Sequence, residues 1–376
     1  MKELVFYFQV HQPRRIRPYR MSEIGRSHNY FWDDKNREIM QRVAEKCYIP
    51  ATRLLIDSEI HASFSLSGIF LEQALEYAPD VVDVFREYFR SGLGEIMSET
   101  YYHSLSSIWS GDEFRSQVQE HRELVKRLFG IEPVTFRNTE LIYSDAIANV
   151  VKGMGFRNIV TEGTDQIIEA HSPNYVYNST SGMRLLLRNY RMSDDIAFRF
   201  SNASWSEFPL FADKYARWVS ESPGDVINVF MDYETFGEHQ WRETGIFKFM
   251  ERLPVELGRR SVSTSTVANA AKNNTIRGTV SVKQPVSWAD TDRNLNAWLG
   301  NEMQTEAFEA LKGLYWHPDK KTWRTLQTSD HIYYMSVRNF ADQDVHSYFN
   351  PYQSPYLAFI YYMAILEDFA RSGRAL

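Results

Sequence analysis

The segment FMDYETFGEHQW (230–241) places Asp232, Glu234, Glu238, His239 and Trp241 directly behind the apolar run DVINVF. Carboxylates at the end of a buried strand are costly unless something there uses their charge. The same pattern recurs along the chain. ELVFYFQV (3–10) ends at His11-Gln12-Pro13; GEIMSET (94–100) carries Glu95 and Glu99, with His103 just beyond; PVTFRNTE (133–140) carries Arg137, Asn138 and Glu140; FRNIVTEG (156–163) carries Glu162; and FRFSNASW (198–205) ends at Trp205. Paired carboxylates with His, Arg and Trp around them suit glycoside cleavage. One carboxylate attacks the anomeric carbon and the other protonates the leaving oxygen. Indole faces stack on sugar rings, while Arg, His and Asn bind hydroxyls. The residues alone leave the pair open among Glu95, Glu99, Glu140, Glu162, Asp232 and Glu234.

The elements that must position these groups alternate. Strands are expected at 3–10, 61–68, 94–100, 133–140, 156–163, 184–191, 196–202 and 225–234. Helical spacing is read at 50–58, at 70–92 with a break near Pro79, at 111–130 with Asp112 as cap and Gly130 as stop, at 144–155 and at 207–222. Alternating strands and helices imply a parallel sheet with helices outside, and about seven such units suit a barrel. In a (β/α) barrel the catalytic groups lie at the C-terminal strand ends, where the candidates fall. Beyond residue 265 the character changes: 294–315, 322–338 and 354–373 all have helical spacing. The expected organisation is a catalytic barrel over 1–265 and a helical C-terminal subdomain over 266–376, packed on the barrel.

Composition narrows the function. A net charge of −6 argues against nucleic acid. No run approaches eighteen apolar residues, so no membrane span is expected. No glycine-rich phosphate loop follows a strand, so neither a nucleotide nor another cofactor is expected. The ten histidines include no pair spaced as metal ligands on one helical face, which disfavours a metal-dependent hydrolase or deacetylase. A single cysteine, Cys47, and an N-terminus read as a strand rather than a signal peptide point to a cytoplasmic location. Aromatic residues make up 15% of the chain, enough to supply stacking surfaces as well as core.

The ordered motifs HQP (11–13), GEIMSETYYHSL (94–105), FRNTELIY (136–143) and MDYETFGEHQW (231–241) resemble those of the family 57 glycoside hydrolases, in particular the α-amylase-type branch. The tail segments SWADTDRNLNAWLGNEMQ (287–304), LQTSDHIYYM (326–335) and NPYQSPYLAFI (350–360) are similar to that branch as well. The resemblance implies an incomplete (β/α)7 barrel followed by a helical region. It implies cleavage of α-1,4 bonds in an α-glucan or maltooligosaccharide, with retention, by double displacement through a glycosyl-enzyme. Glu140 takes the place of the nucleophile and Asp232 that of the acid/base; some members of the branch lack one of the two and are thought inactive. The alternatives are a 4-α-glucanotransferase, a branching enzyme and an inactive glucan-binding protein. Substrate contacts are expected from His11, Glu95, Glu99, His103, Arg137 and Glu162. Further contacts are expected from Trp205, His239, Trp241, Trp298, Asn301, Asp330 and His331, with Glu234 as a hydrogen-bonded support. Trp288 is open between stacking and packing. Burial and the charge of Glu140 should raise the pKa of Asp232, and a donor such as Arg137 or His11 should keep Glu140 ionised.

Overall fold

The computed structural model describes residues 1–169, 171–337 and 350–374. Ten strands organise it: β1 (Lys2–Val10), β2 (Ala62–Leu66), β3 (Gly94–Met97), β4 (Thr135–Phe136), β5 (Asn158–Glu162), β6 (Val176–Ser179), β7 (Arg184–Arg188), β8 (Val226–Asp232), β9 (Val262–Ser265) and β10 (Ile276–Val280). They form two sheets, one ordered β3-β2-β1-β8 with β9 also paired to β1, the other β10-β6-β7-β5-β4. The β6–β7 pair is antiparallel and the other paired strands of both sheets are parallel. Main-chain bonds join the sheets at two seams. Ser98 N–H donates to the Thr135 carbonyl at 2.9 Å and Arg137 N–H to the Ser98 carbonyl at 2.9 Å; across the other seam Asn189 N–H donates to the Asn228 carbonyl at 2.8 Å.

Side chains alternate across a strand with period two, and the cores follow that alternation. On β1, Leu4, Phe6, Phe8 and Val10 pack against the helices, while Val5 and Tyr7 enter a smaller core between the sheets. On β8, Ile227, Val229 and Met231 join the helix-side core, and Val226 and Phe230 the inner one. The inward series of β8 therefore runs 226, 228, 230, 232 and delivers Asp232 at its top. Each large side chain sealed into these cores contributes roughly 1.5–3 kcal/mol. The helix Val267–Asn273 inserts Val267, Ala270 and Ala271 at the opposite end and fills it.

Most expected elements form, with instructive differences. The helix broken near Pro79 is two helices, Gly68–Tyr77 and Pro79–Arg90. Ser110, not Asp112, caps Gly111–Phe129, and Gly130 stops it at φ 73°. The expected strand at 196–202 is instead the end of a helix, Tyr190–Ala197, and the loop after it. Asn189 caps that helix by accepting from Met192 N–H, and Met192, Ser193, Ile196 and Ala197 form its buried face. β6, β9 and β10 were not expected. β10 lies beyond residue 265 yet joins the second sheet through β6. In the tail, 294–315 is two helices, Asn296–Leu299 and Glu302–Gly313. The stretch 322–338 contains Lys320–Thr325 and Ser329–Tyr333, and residue 338 lies outside the described residues.

The loop after β8 depends on one glycine. Gly237 has φ +112°, and a Cβ there would lie 2.0 Å from the Lys46 carbonyl oxygen. Its own N–H donates to the Gln240 carbonyl at 2.9 Å, closing the turn between Glu234 and His239. Gly237→Ala should lower stability by at least about 1–3 kcal/mol, from the backbone conformation alone. Thermal unfolding measures the loss; a wild-type melting temperature would show that this turn is not constrained as described.

Candidate active site

The C-terminal strand ends surround a cleft of about 270 Å³. Its lining includes His11, His103, Glu140, Asp232, His239 and Asp330, together with Arg188, Glu234 and Trp288. Glu140 reaches it from a tight turn, Thr139–Leu141, in which Glu140 (φ 56°) and Leu141 (φ 51°) both adopt the left-handed backbone. Asn138 braces this turn, its Nδ2 donating to the Ile142 carbonyl and to Ser107 Oγ, both at 2.9 Å.

His103 sets the electrostatics. Its Nδ1 lies 2.7 Å from Glu99 Oε2 and its Nε2 3.1 Å from Glu140 Oε1. Burial opposes charging the ring, but the two carboxylates outweigh it and raise the pKa to about 9. The ring is then an imidazolium donating on both sides. Glu140 is correspondingly acidic: burial acts to raise its pKa, but the bond and charge of His103, with the charge of Arg137, bring it to about 2. Glu99 is lowered as well, burial being outweighed by His103 and Arg137.

His11 stacks on His103, with ring centroids 4.0 Å apart and planes 17° apart. Burial and the neighbouring imidazolium lower its pKa, so it stays neutral. Ser67 Oγ caps the helix Gly68–Tyr77 by accepting from Phe70 N–H, and its own proton points to His11 Nδ1 at 2.7 Å. That leaves the Nε2 proton for Asp330 Oδ2 at 3.0 Å. The protons are assigned from this network.

Asp232 has the opposite environment from Glu140. Burial and then the charge of Glu140 raise its pKa to about 7, against the pull of Arg137, His103 and Arg188. Two residues on, Glu234 is raised to about 8 by burial and by Asp232, while Tyr48 donates its hydroxyl to one carboxylate oxygen. At neutral pH Glu140 is therefore ionised, whereas Asp232 still holds a proton for part of the time. Two carboxyls driven apart in this way can divide the roles of nucleophile and acid.

The remaining expected residues separate by position. Glu99 and Arg137 lie buried behind the cleft; Glu162 lies behind it too, paired with Arg188 at 2.9 Å. Glu95 belongs to the far end of β3, where Thr135, Ser63 and the Ala268 N–H satisfy its carboxylate. Trp205 packs edge-on against Trp218. Trp241 is 56% exposed and outside the lining, whereas Trp298 is core and packs on Tyr333. Asn301 caps Glu302–Gly313, and His331 is buried against Tyr362. The expected substrate contacts from Glu95, Glu99, Arg137, Glu162, Trp205, Trp241, Trp298, Asn301 and His331 are thus replaced by structural contacts or a position off the cleft. Arg188 was missed although it ends the run RLLLR, the same strand-end signal that singled out the others. Trp288, open in the sequence between stacking and packing, does neither alone: its indole Nε1 donates to Glu140 Oε2 at 2.7 Å.

The sequence model of a family described as "Glycosyl hydrolase family 57" matches residues 5–283. A protein of Methanocaldococcus jannaschii named "Putative alpha-amylase" is 42% identical over 394 residues, covering 97% of this chain and 84% of its own. A branching enzyme from Thermococcus kodakaraensis superposes with a TM-score of 0.70 at 13% identity, covering 98% of this chain and 90% of its own. A 4-alpha-glucanotransferase from Thermococcus litoralis superposes with a TM-score of 0.61 at 16% identity over 96% of this chain, which spans only 55% of that protein. At such identities the two solved structures show a shared α/β fold.

The shifts give stability a pH dependence. The folded pKa of His103, about 9, lies above its ordinary 6.5. Its contribution is present in full below about pH 6.5 and is lost as pH rises through about 9. Glu140, depressed from 4.5 to about 2, contributes above pH 4.5 and loses that contribution as pH falls through about 2. His103→Gln should therefore flatten the fall in melting temperature between pH 6.5 and 9. Melts of both proteins across that window check this, and an equally steep fall in the variant would contradict a buried imidazolium.

Proposed function

The chain belongs to glycosyl hydrolase family 57, and from that premise we propose that it is a retaining, α-amylase-like glycoside hydrolase cleaving α-1,4-glucosidic bonds in an α-glucan or maltooligosaccharide. One observation carries the reading: ionised Glu140 and proton-bearing Asp232 line the same cleft. Glu140 attacks the anomeric carbon as the bond to the leaving oxygen breaks, and Asp232 gives that oxygen its proton. The proton loss leaves Asp232 a carboxylate, able to take a proton from water as the water displaces Glu140. His103 offsets the charge of Glu140 before attack. Asp330, held by His11, and Arg188 supply polar atoms for the sugar hydroxyls.

The ring β1-β2-β3-β4-β5-β7-β8, closed by the two seams, supports reading residues 1–265 as an incomplete (β/α)7 barrel with 266–376 packed on it. Among the described residues, β10 is the one strand contributed from beyond that boundary. Transfer to a second glucan is the competing outcome, because it uses the same intermediate and replaces water with a sugar hydroxyl. The glucanotransferase and the branching enzyme among the fold relatives favour testing it directly.

Incubation with maltoheptaose followed by chromatography should give shorter products alone; products both longer and shorter than the substrate would mean transfer. Glu140→Gln should lower turnover by about 10⁴-fold or more while oligosaccharide binding survives. Asp232→Asn should be far milder with an aryl glycoside whose leaving group needs no proton. The wild-type kcat should decline as pH rises through about 7, where Asp232 loses its proton. Full activity of Glu140→Gln would remove the assignment.

A further inference from the structure

Trp288 touches Glu140 twice. Its main-chain N–H donates to the Glu140 carbonyl at 3.2 Å, and its indole Nε1 donates to Glu140 Oε2 at 2.7 Å. The two residues are 148 positions apart in sequence. The other carboxylate oxygen, Oε1, is held by His103 at 3.1 Å and by Ser329 Oγ at 3.4 Å. Both oxygens are therefore fixed from opposite sides, which sets the plane of the carboxylate. The backbone beneath them is the left-handed turn at Glu140, φ 56°, a conformation that persists only when its surroundings hold it.

Trp288 is itself well anchored. Val286 exchanges main-chain bonds with Tyr143, Ser287 N–H donates to the Arg293 carbonyl at 3.0 Å, and Ser287 Oγ donates to the Asn294 carbonyl at 2.8 Å. The guanidinium of Arg137 lies 4.9 Å from the centroid of its ring and that of Arg188 5.9 Å. Arg137 is fully buried, and its guanidinium nitrogens make no hydrogen bond among the described residues. Its charge is met instead by Glu99 at 3.9 Å and by the indole face. Two cations beside an indole draw density from it and make its N–H a stronger donor. The donor is also neutral, so it remains compatible with Glu140 when the carboxylate becomes an uncharged ester.

We propose that Trp288 is the positioning residue of the nucleophile, an indole clamp that fixes the strained turn and one carboxylate oxygen of Glu140 for attack. The proposal rests on Glu140 being the nucleophile. Trp288→Phe keeps a ring beside the two guanidiniums and removes the N–H. It should lower kcat by about tenfold to a hundredfold, the scale of one hydrogen bond to a charged group. KM should stay within about threefold, the melting temperature should be nearly unchanged, and the acid limb of the kcat profile should move upward. Trp288→His, which restores a ring N–H, should recover part of the loss. In proton–nitrogen spectra, the indole signal that disappears in Trp288→Phe should be shifted in Glu140→Gln, a readout independent of turnover. Wild-type kcat and an unmoved acid limb in Trp288→Phe, or an indole signal unaffected by Glu140→Gln, would overturn the clamp. If Trp288→Phe does not fold, wild-type kcat and acid limb in Trp288→His decide against it, since that variant moves the ring nitrogen. A fully active Glu140→Gln would remove the nucleophile reading instead, whatever Trp288 does.

Discussion

One buried cation governs this site. His103 sits between Glu99 and Glu140, and a charged ring there supports one carboxylate in the sealed interior and another at the cleft. Burial alone presses Glu140 toward its protonated form, and His103 is the main influence against it. With His103 charged, Glu140 is a fixed negative charge, and that charge helps to hold the proton on Asp232 across the cleft. The difference between the two carboxyls therefore follows from a side chain that belongs to neither strand end. Glu99 completes the arrangement, with Gln9 from β1 donating to it at 3.3 Å and Arg137 lying 3.9 Å away. The stacked His11 stays neutral beside this cation, which leaves its ring free to serve as a neutral hydrogen-bonding group toward Asp330.

The scaffold makes such precision affordable by a simple repeat. Period-two alternation gives each strand one face toward the helices and one toward the inner core. A carboxyl extending the inward series emerges where the strand ends, as Asp232 does above Phe230. The same rule explains why acids close in sequence can have unrelated lives. Glu95 and Glu99 are four residues apart, yet one lies at the base of β3, satisfied by two hydroxyls and an amide, and the other lies at the mouth beside His103.

This separation marks how far the sequence could be read. Strand ends and their polar residues were legible because apolar runs stop abruptly there, and the helix break at Pro79 was legible because proline imposes it. The segment at 196–202 was misread because IAFRF alternates like a strand; the capping Asn189, seven residues earlier, carried the better signal. The three-residue spacing of Trp298, Asn301 and Gln304 reflects packing and capping, with Gln304 donating to the carbonyls of Ala297 and Ile332. Asp330 and His331 are neighbours, but a single helical turn sends one to the cleft and the other to Tyr362. The protonation of His103 could not be read at all. It depends on Glu140 being brought within hydrogen-bonding distance of a ring already bound to Glu99.

The long sequence separation of the contacts on Glu140 has a consequence for how the protein is made. Synthesis proceeds from the N-terminus, so both carboxylates leave the ribosome well before Trp288, Ser329 and Asp330. A nascent chain ending at residue 283, the limit of the family match, already carries Glu140 and Asp232. It lacks the indole on Glu140 Oε2, the hydroxyl on Oε1 and the partner of His11. Such an intermediate has its carboxylates and its imidazole without the restraints that orient them. The finished geometry thus arises only once the segments carrying Trp288, Ser329 and Asp330 have docked on the strands made before them.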